Sequence, residues 1–98
     1  MTFYFLAAVD KHDRETYGKY SQANRNILKT LDFKPLALTD DFETLEGDTN
    51  GSSLVLLEFP DESEFRKWWD SPEYAEAKKL RIESSEMRFA ITFTGPTP

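Results

Sequence analysis

Apolar and polar positions along the chain sort into strand patterns and helical stretches. Phe3-Tyr4-Phe5-Leu6-Ala7-Ala8-Val9 is an unbroken apolar run. A strand apolar on both faces has to be covered on both, so this run predicts a central strand. Ser53 to Phe59 alternates instead. Val55, Leu57 and Phe59 face one way, and Leu54, Leu56 and Glu58 the other. In the last pattern Met87, Phe89, Ile91 and Phe93 form one apolar face, opposite Arg88, Ala90, Thr92 and Thr94. Lys34-Pro35-Leu36-Ala37-Leu38 is short, and a proline cannot donate to a ladder, which suits an edge strand. After a bend at Asp40-Asp41, Phe42 to Gly47 is expected to continue that edge, and Asn50-Gly51 marks a turn.

Two stretches carry the helical period. Asp13 is a capping residue, and Tyr17, Tyr20, Asn24, Ile27, Leu28 and Leu31 recur as one stripe, predicting a helix to about Leu31. Pro60 stops the alternating strand. Asp61 with Glu64 then has the spacing of a capping box, and Phe65, Trp68 and Trp69 follow. Ser71-Pro72-Glu73 is a second start signal, so the second helical region divides near Asp70. Beyond it Tyr74, Ala77, Lys78 and Arg81 share a face. The resulting order, β-α-β-β-α-β, predicts an α+β ferredoxin-like sandwich. Its four-stranded antiparallel sheet would carry both helical regions on one face. Residues 1–95 make one domain, with 96–98 a short tail.

Two helical regions cover only one face of such a sheet. The other would display Leu54, Leu56 and part of the first strand, more apolar surface than a monomer usually exposes. A homodimer through the open sheet face, forming a dimeric α/β barrel, is therefore expected. The chain's 98 residues limit how large a core it builds alone.

Composition narrows the partners. A formal charge of −6 disfavours nucleic acid and anionic membranes, which need a basic surface. No cysteine is present, which removes disulfides, thiol nucleophiles and thiolate metal sites. No apolar run reaches membrane-spanning length, and the first run lacks the basic flank of a signal peptide. A cytoplasmic location is expected. His12 is the single histidine, read as a loop residue beside the capping Asp13, and no metal site is expected. No phosphate-binding glycine loop or Ser-His-Asp set occurs, and no cofactor is expected.

Glu58-Phe59-Pro60, Trp68-Trp69-Asp70-Ser71-Pro72-Glu73-Tyr74, Leu80-Arg81 and a last strand closing at Gly95 resemble the domain-of-unknown-function family 1330. Asp13 with Tyr17 and Tyr20, and Leu45-Glu46-Gly47-Asp48, match its pattern too. Thr49 stands where that family often has an aromatic. The resemblance implies a dimeric α/β barrel and no settled reaction. Its wider relatives include cofactor-independent monooxygenases, muconolactone isomerase-like enzymes and small stress proteins.

The candidate ligand-pocket residues are Asn24, Glu46, Trp69, Tyr74 and Arg81. Asn24 interrupts an apolar stripe. One of two adjacent tryptophans has to face away from the core the other fills. Arg81 suits a bidentate carboxylate, or else a structural ion pair. Glu46 is the candidate catalytic base. Glu58 and Arg88 are expected at the rim or paired across a dimer. Three functional readings follow: a dimer binding a small organic ligand between helices and sheet, a cofactor-independent monooxygenase- or isomerase-like enzyme acting on a small organic acid or aromatic, and a non-catalytic structural or stress-related dimer.

Overall fold

The computed structural model describes residues 2–96, so most of the expected tail, residues 97 and 98, lies outside the described residues. The elements run β1 (Thr2–Lys11), α1 (Arg14–Leu28), β2 (Lys34–Thr39), β3 (Ser53–Phe59), α2 (Glu62–Trp69), α3 (Pro72–Ser84) and β4 (Ser85–Gly95). The strands pair antiparallel in the order β2-β3-β1-β4. This is the ferredoxin-like α+β fold. The apolar run is central, and the proline-bearing strand is an edge.

Local signals act where the residue types place them. The Asp13 carboxylate accepts from the Thr16 amide, Asp61 from Glu64 and Ser71 from Tyr74, so each helix begins on its own cap. Asp70 closes α2, and Pro72 opens α3 two residues later. The α1 stripe buries Tyr17, Tyr20 and Leu28. It packs with Phe65, Trp68, Tyr74 and Ala77 of the other helices over Phe3, Phe5, Ala7, Val9, Leu57 and Phe59 of the sheet.

Three details depart from the alternation read along the chain. Phe42 to Gly47 forms no strand; the edge ends at Thr39, and 40–52 is a loop. Asn50 adopts a positive φ of 54° and Asp48 accepts from its amide, a local turn within that loop rather than a tight hairpin. Gly51 then passes so close to β1 that a Cβ there would sit 3.1 Å from the Ala8 side chain. Finally, β4 is bulged. Val9 pairs Met87 while Ala8 pairs Phe89, leaving Arg88 as the extra residue. The bulge splits the expected apolar face: Met87 packs into the core, whereas Phe89, Ile91 and Phe93 lie on the opposite side with Ala8, Leu6 and Tyr4.

That opposite side carries no helix. Leu54 and Leu56 join it from β3. Ile91 is 48% and Phe93 42% exposed, and Tyr4 stacks on Phe93 at 5.1 Å between centroids. Glu58 lies there too, aligned with Tyr4 and with Lys34 of the edge strand. Arg88 is occupied within its own chain, 3.1 Å from Asp10 and 3.3 Å from Glu86. The Arg88 hydrogen bond, with help from Ser52, holds the Asp10 carboxyl below its usual range.

Candidate ligand-binding cleft

A cleft of about 890 Å³ opens between α1, α3 and the sheet, chiefly β1, β2 and β3. Its size and mixture of aromatic wall with a few polar groups suit a small organic molecule. Phe5, Leu57 and Trp68 line its apolar part; Tyr17, Tyr20, Asn24, Tyr74 and Arg81 are among its polar residues.

Each polar group has a definite state. The Tyr20 and Tyr74 hydroxyls lie 3.0 Å apart and share one hydrogen bond. Burial pushes the Tyr17 phenol up to about 12, and the nearby Arg81 charge only partly opposes this. Burial likewise raises Tyr20 well above its usual value, reinforced by Tyr74. Both therefore remain protonated at neutral pH. The Trp68 indole N–H donates to Asn24 Oδ1 at 2.7 Å, which turns the Asn24 amide nitrogen away from Trp68. At the mouth Lys11 Nζ lies 4.7 Å from the Tyr17 ring centre and 3.8 Å from Asp40. Asp40 also takes Arg14 at 3.1 Å and the Ser53 hydroxyl. The Ser53 and Arg14 hydrogen bonds hold its carboxyl below the usual range.

Arg81 is positioned by its own backbone. Its carbonyl accepts from the Ser85 hydroxyl at 2.6 Å, where α3 passes into β4 without a loop. The amides of His12 and Asp13 both donate to the Ser84 carbonyl at 3.1 Å, tying the exit of β1 to the same corner. His12 is itself exposed.

Three of the five residues singled out along the chain, Asn24, Tyr74 and Arg81, meet in this cleft. Trp69 does not line it. It is half-buried, stacked on Tyr74 at 5.3 Å, and borders a separate hollow of about 180 Å³ with Phe65 and Thr92. Glu46 is exposed on the 40–52 loop and does not line the cleft. Tyr17 and Tyr20 were legible as stripe residues and as part of the family pattern, but not as cleft residues, because a buried tyrosine and a ligand-facing one have the same spacing. Lys11 and Asp40 carried no sequence signal at all. Among the described residues no group of three His, Cys, Asp or Glu side chains could hold a metal ion, and no helix is long and apolar enough to cross a membrane.

Fold and cleft together define a ferredoxin-like domain with an internal, tyrosine-rich hollow. The chain belongs to the family described as Domain of unknown function (DUF1330), whose model matches residues 2–94. Among solved structures it is similar to a protein of unknown function from Rhodopseudomonas palustris, with TM-score 0.76 and 18% identity, covering 99% of this chain and 84% of that one. It is also similar to SnoaB, a cofactor-independent oxygenase from Streptomyces nogalater, with TM-score 0.71 and 12% identity over 99% and 95% of the two chains. A third is a dimeric ferredoxin-like protein of unknown function from Thermobifida fusca, with TM-score 0.64 and 17% identity over 95% and 90%. At these identities the likeness is one of fold. No curated protein matches the chain in sequence.

Proposed function

We propose that this protein binds a small organic molecule in the cleft between helices and sheet, and does so as a homodimer stacked through its open sheet face. The observation that carries the ligand reading is the cleft itself. About 890 Å³ is room for a small organic molecule, and polar side chains converge in it. The dimer reading rests on the apolar face of Tyr4, Leu6, Leu54, Leu56, Ile91 and Phe93, which no helix covers. A second copy is the occupant favoured here, because the structurally similar Thermobifida fusca protein is itself described as dimeric.

Thermal-shift screening of small aromatics and carboxylic acids tests the binding reading. A ligand at a hundredfold its dissociation constant stabilises by about 2.7 kcal/mol, so binders raise the melting temperature by well over a few degrees. A diverse panel that shifts nothing removes the reading and leaves a purely structural dimer.

A second reading, a cofactor-independent enzyme, is favoured by the Tyr20–Tyr74 hydroxyl pair and by the fold likeness to SnoaB. Glu46 lies outside the cleft, so in this reading the phenol pair acts as hydrogen-bond and proton donor to a developing oxyanion rather than as the base. Oxygen uptake on adding an electron-rich phenol, abolished in Tyr74→Phe, supports it; uptake that survives the substitution counts against it.

A further inference from the structure

We propose that the cleft is built for an aromatic carboxylate, with Arg81 as its counter-charge. The inference rests on the cleft being a ligand site and goes further by naming the ligand's chemistry.

Arg81 is only 6% exposed. Its Nε is sealed from solvent with no hydrogen-bond partner. The ion pairs of the described residues all lie elsewhere, so no carboxylate neutralises it. Buried charges are ordinarily paired, since removing a cation from water is costly without compensation. A guanidinium held at the wall of a cleft by a bonded helix end, yet unpaired, is arranged to receive its anion from outside.

The remaining polar groups agree. Asn24 Oδ1 already accepts from Trp68, and its amide nitrogen keeps two N–H donors. Two hydroxyls that share one hydrogen bond leave one O–H over. Of the two carboxylates at the mouth, Asp40 is already taken by Ser53, Arg14 and Lys11, and Asp41 is exposed to solvent. The interior thus offers donors and positive charge, and its complement brings acceptors and negative charge. A carboxylate matches the planar fork of Arg81. Phe33, Trp68 and Tyr74 border the same space, and an aromatic wall suits an aromatic body.

The test uses the full chain, 2-naphthoate, and its neutral counterpart 2-naphthamide, titrated by calorimetry at pH 7. Naphthoate is expected to bind roughly tenfold or more tightly than naphthamide, as for hydrogen bonds to a charged group. Arg81→Met is expected to erase that preference. Its ligand-free melting temperature is expected at or above that of the unsubstituted protein, because an unpaired buried cation is removed. Equal affinity for the two ligands, or a preference that survives Arg81→Met, overturns the proposal while leaving the cleft a ligand site. Binding of neither overturns both. A fall in melting temperature of more than about 4–8 °C in Arg81→Met makes the arginine structural and also overturns it. If Arg81→Met does not fold, the comparison of the two ligands on the unsubstituted protein decides alone.

Discussion

Tyr17 places a phenol in the cleft beside a cation, and its burial outweighs the cation's pull. The consequence for stability follows from its sign. The folded value, about 12, exceeds the ordinary value of 10.0, so the native state holds the proton more tightly than the unfolded chain. That stability is complete below pH 10 and is lost as pH rises through 12. Tyr17→Phe is expected to flatten the decline in melting temperature between pH 10 and 12 and to remove one phenolate from the alkaline ultraviolet titration. An unchanged pH profile would mean the phenol is solvated. Tyrosine identity was plain along the chain. The burial that makes this tyrosine unusual depends on α3, far off in sequence, and could not be read there.

At the level of elements, the junction of α2 and α3 is set by three consecutive residues. Asp70 ends one helix; the Ser71 hydroxyl accepts from the Tyr74 amide at 3.0 Å and donates to the Trp68 carbonyl at 2.8 Å; Pro72 begins the next helix. Ser71 thereby satisfies both helix ends, and it orients the turn that carries Tyr74 towards Tyr20. Ser71→Ala is expected to cost about 1 kcal/mol, the usual worth of such a cap, read as a lower midpoint in urea with an unchanged slope. A loss near zero would show that water replaces the hydroxyl without penalty. This junction was legible because capping is local. The β4 bulge at Arg88 was not. One extra residue leaves an alternating pattern looking intact on either side, and only the partner strand shows that Met87 and Phe89 point opposite ways.

For the whole molecule, the bulge enlarges the uncovered face. It delivers Phe89, Ile91 and Phe93 to the side away from the helices, where Leu6 and Leu56 already lie. Sedimentation velocity at micromolar concentration is expected to show a dimer. Leu6→Glu, which sets a carboxylate at the centre of that face, is expected to give a folded monomer, since its helix-side core is untouched. A monomeric unsubstituted protein, or a dimer indifferent to Leu6→Glu, would place the contact elsewhere. The cleft opens on the opposite side of the sheet, so a monomeric variant also separates ligand binding from assembly.

Element order, caps, the central and edge strands and the excess of apolar surface were determined by the sequence alone, because each depends on neighbours within a few residues or on a simple count of faces. The tertiary structure decided the cleft. Tyr20 and Asn24 come from α1 and Tyr74 and Arg81 from α3, and nothing in their spacing distinguishes an arginine with an acid beside it from one without. Whether a buried polar group is satisfied depends on every atom around it, and those atoms are assembled only when distant parts of the chain pack together.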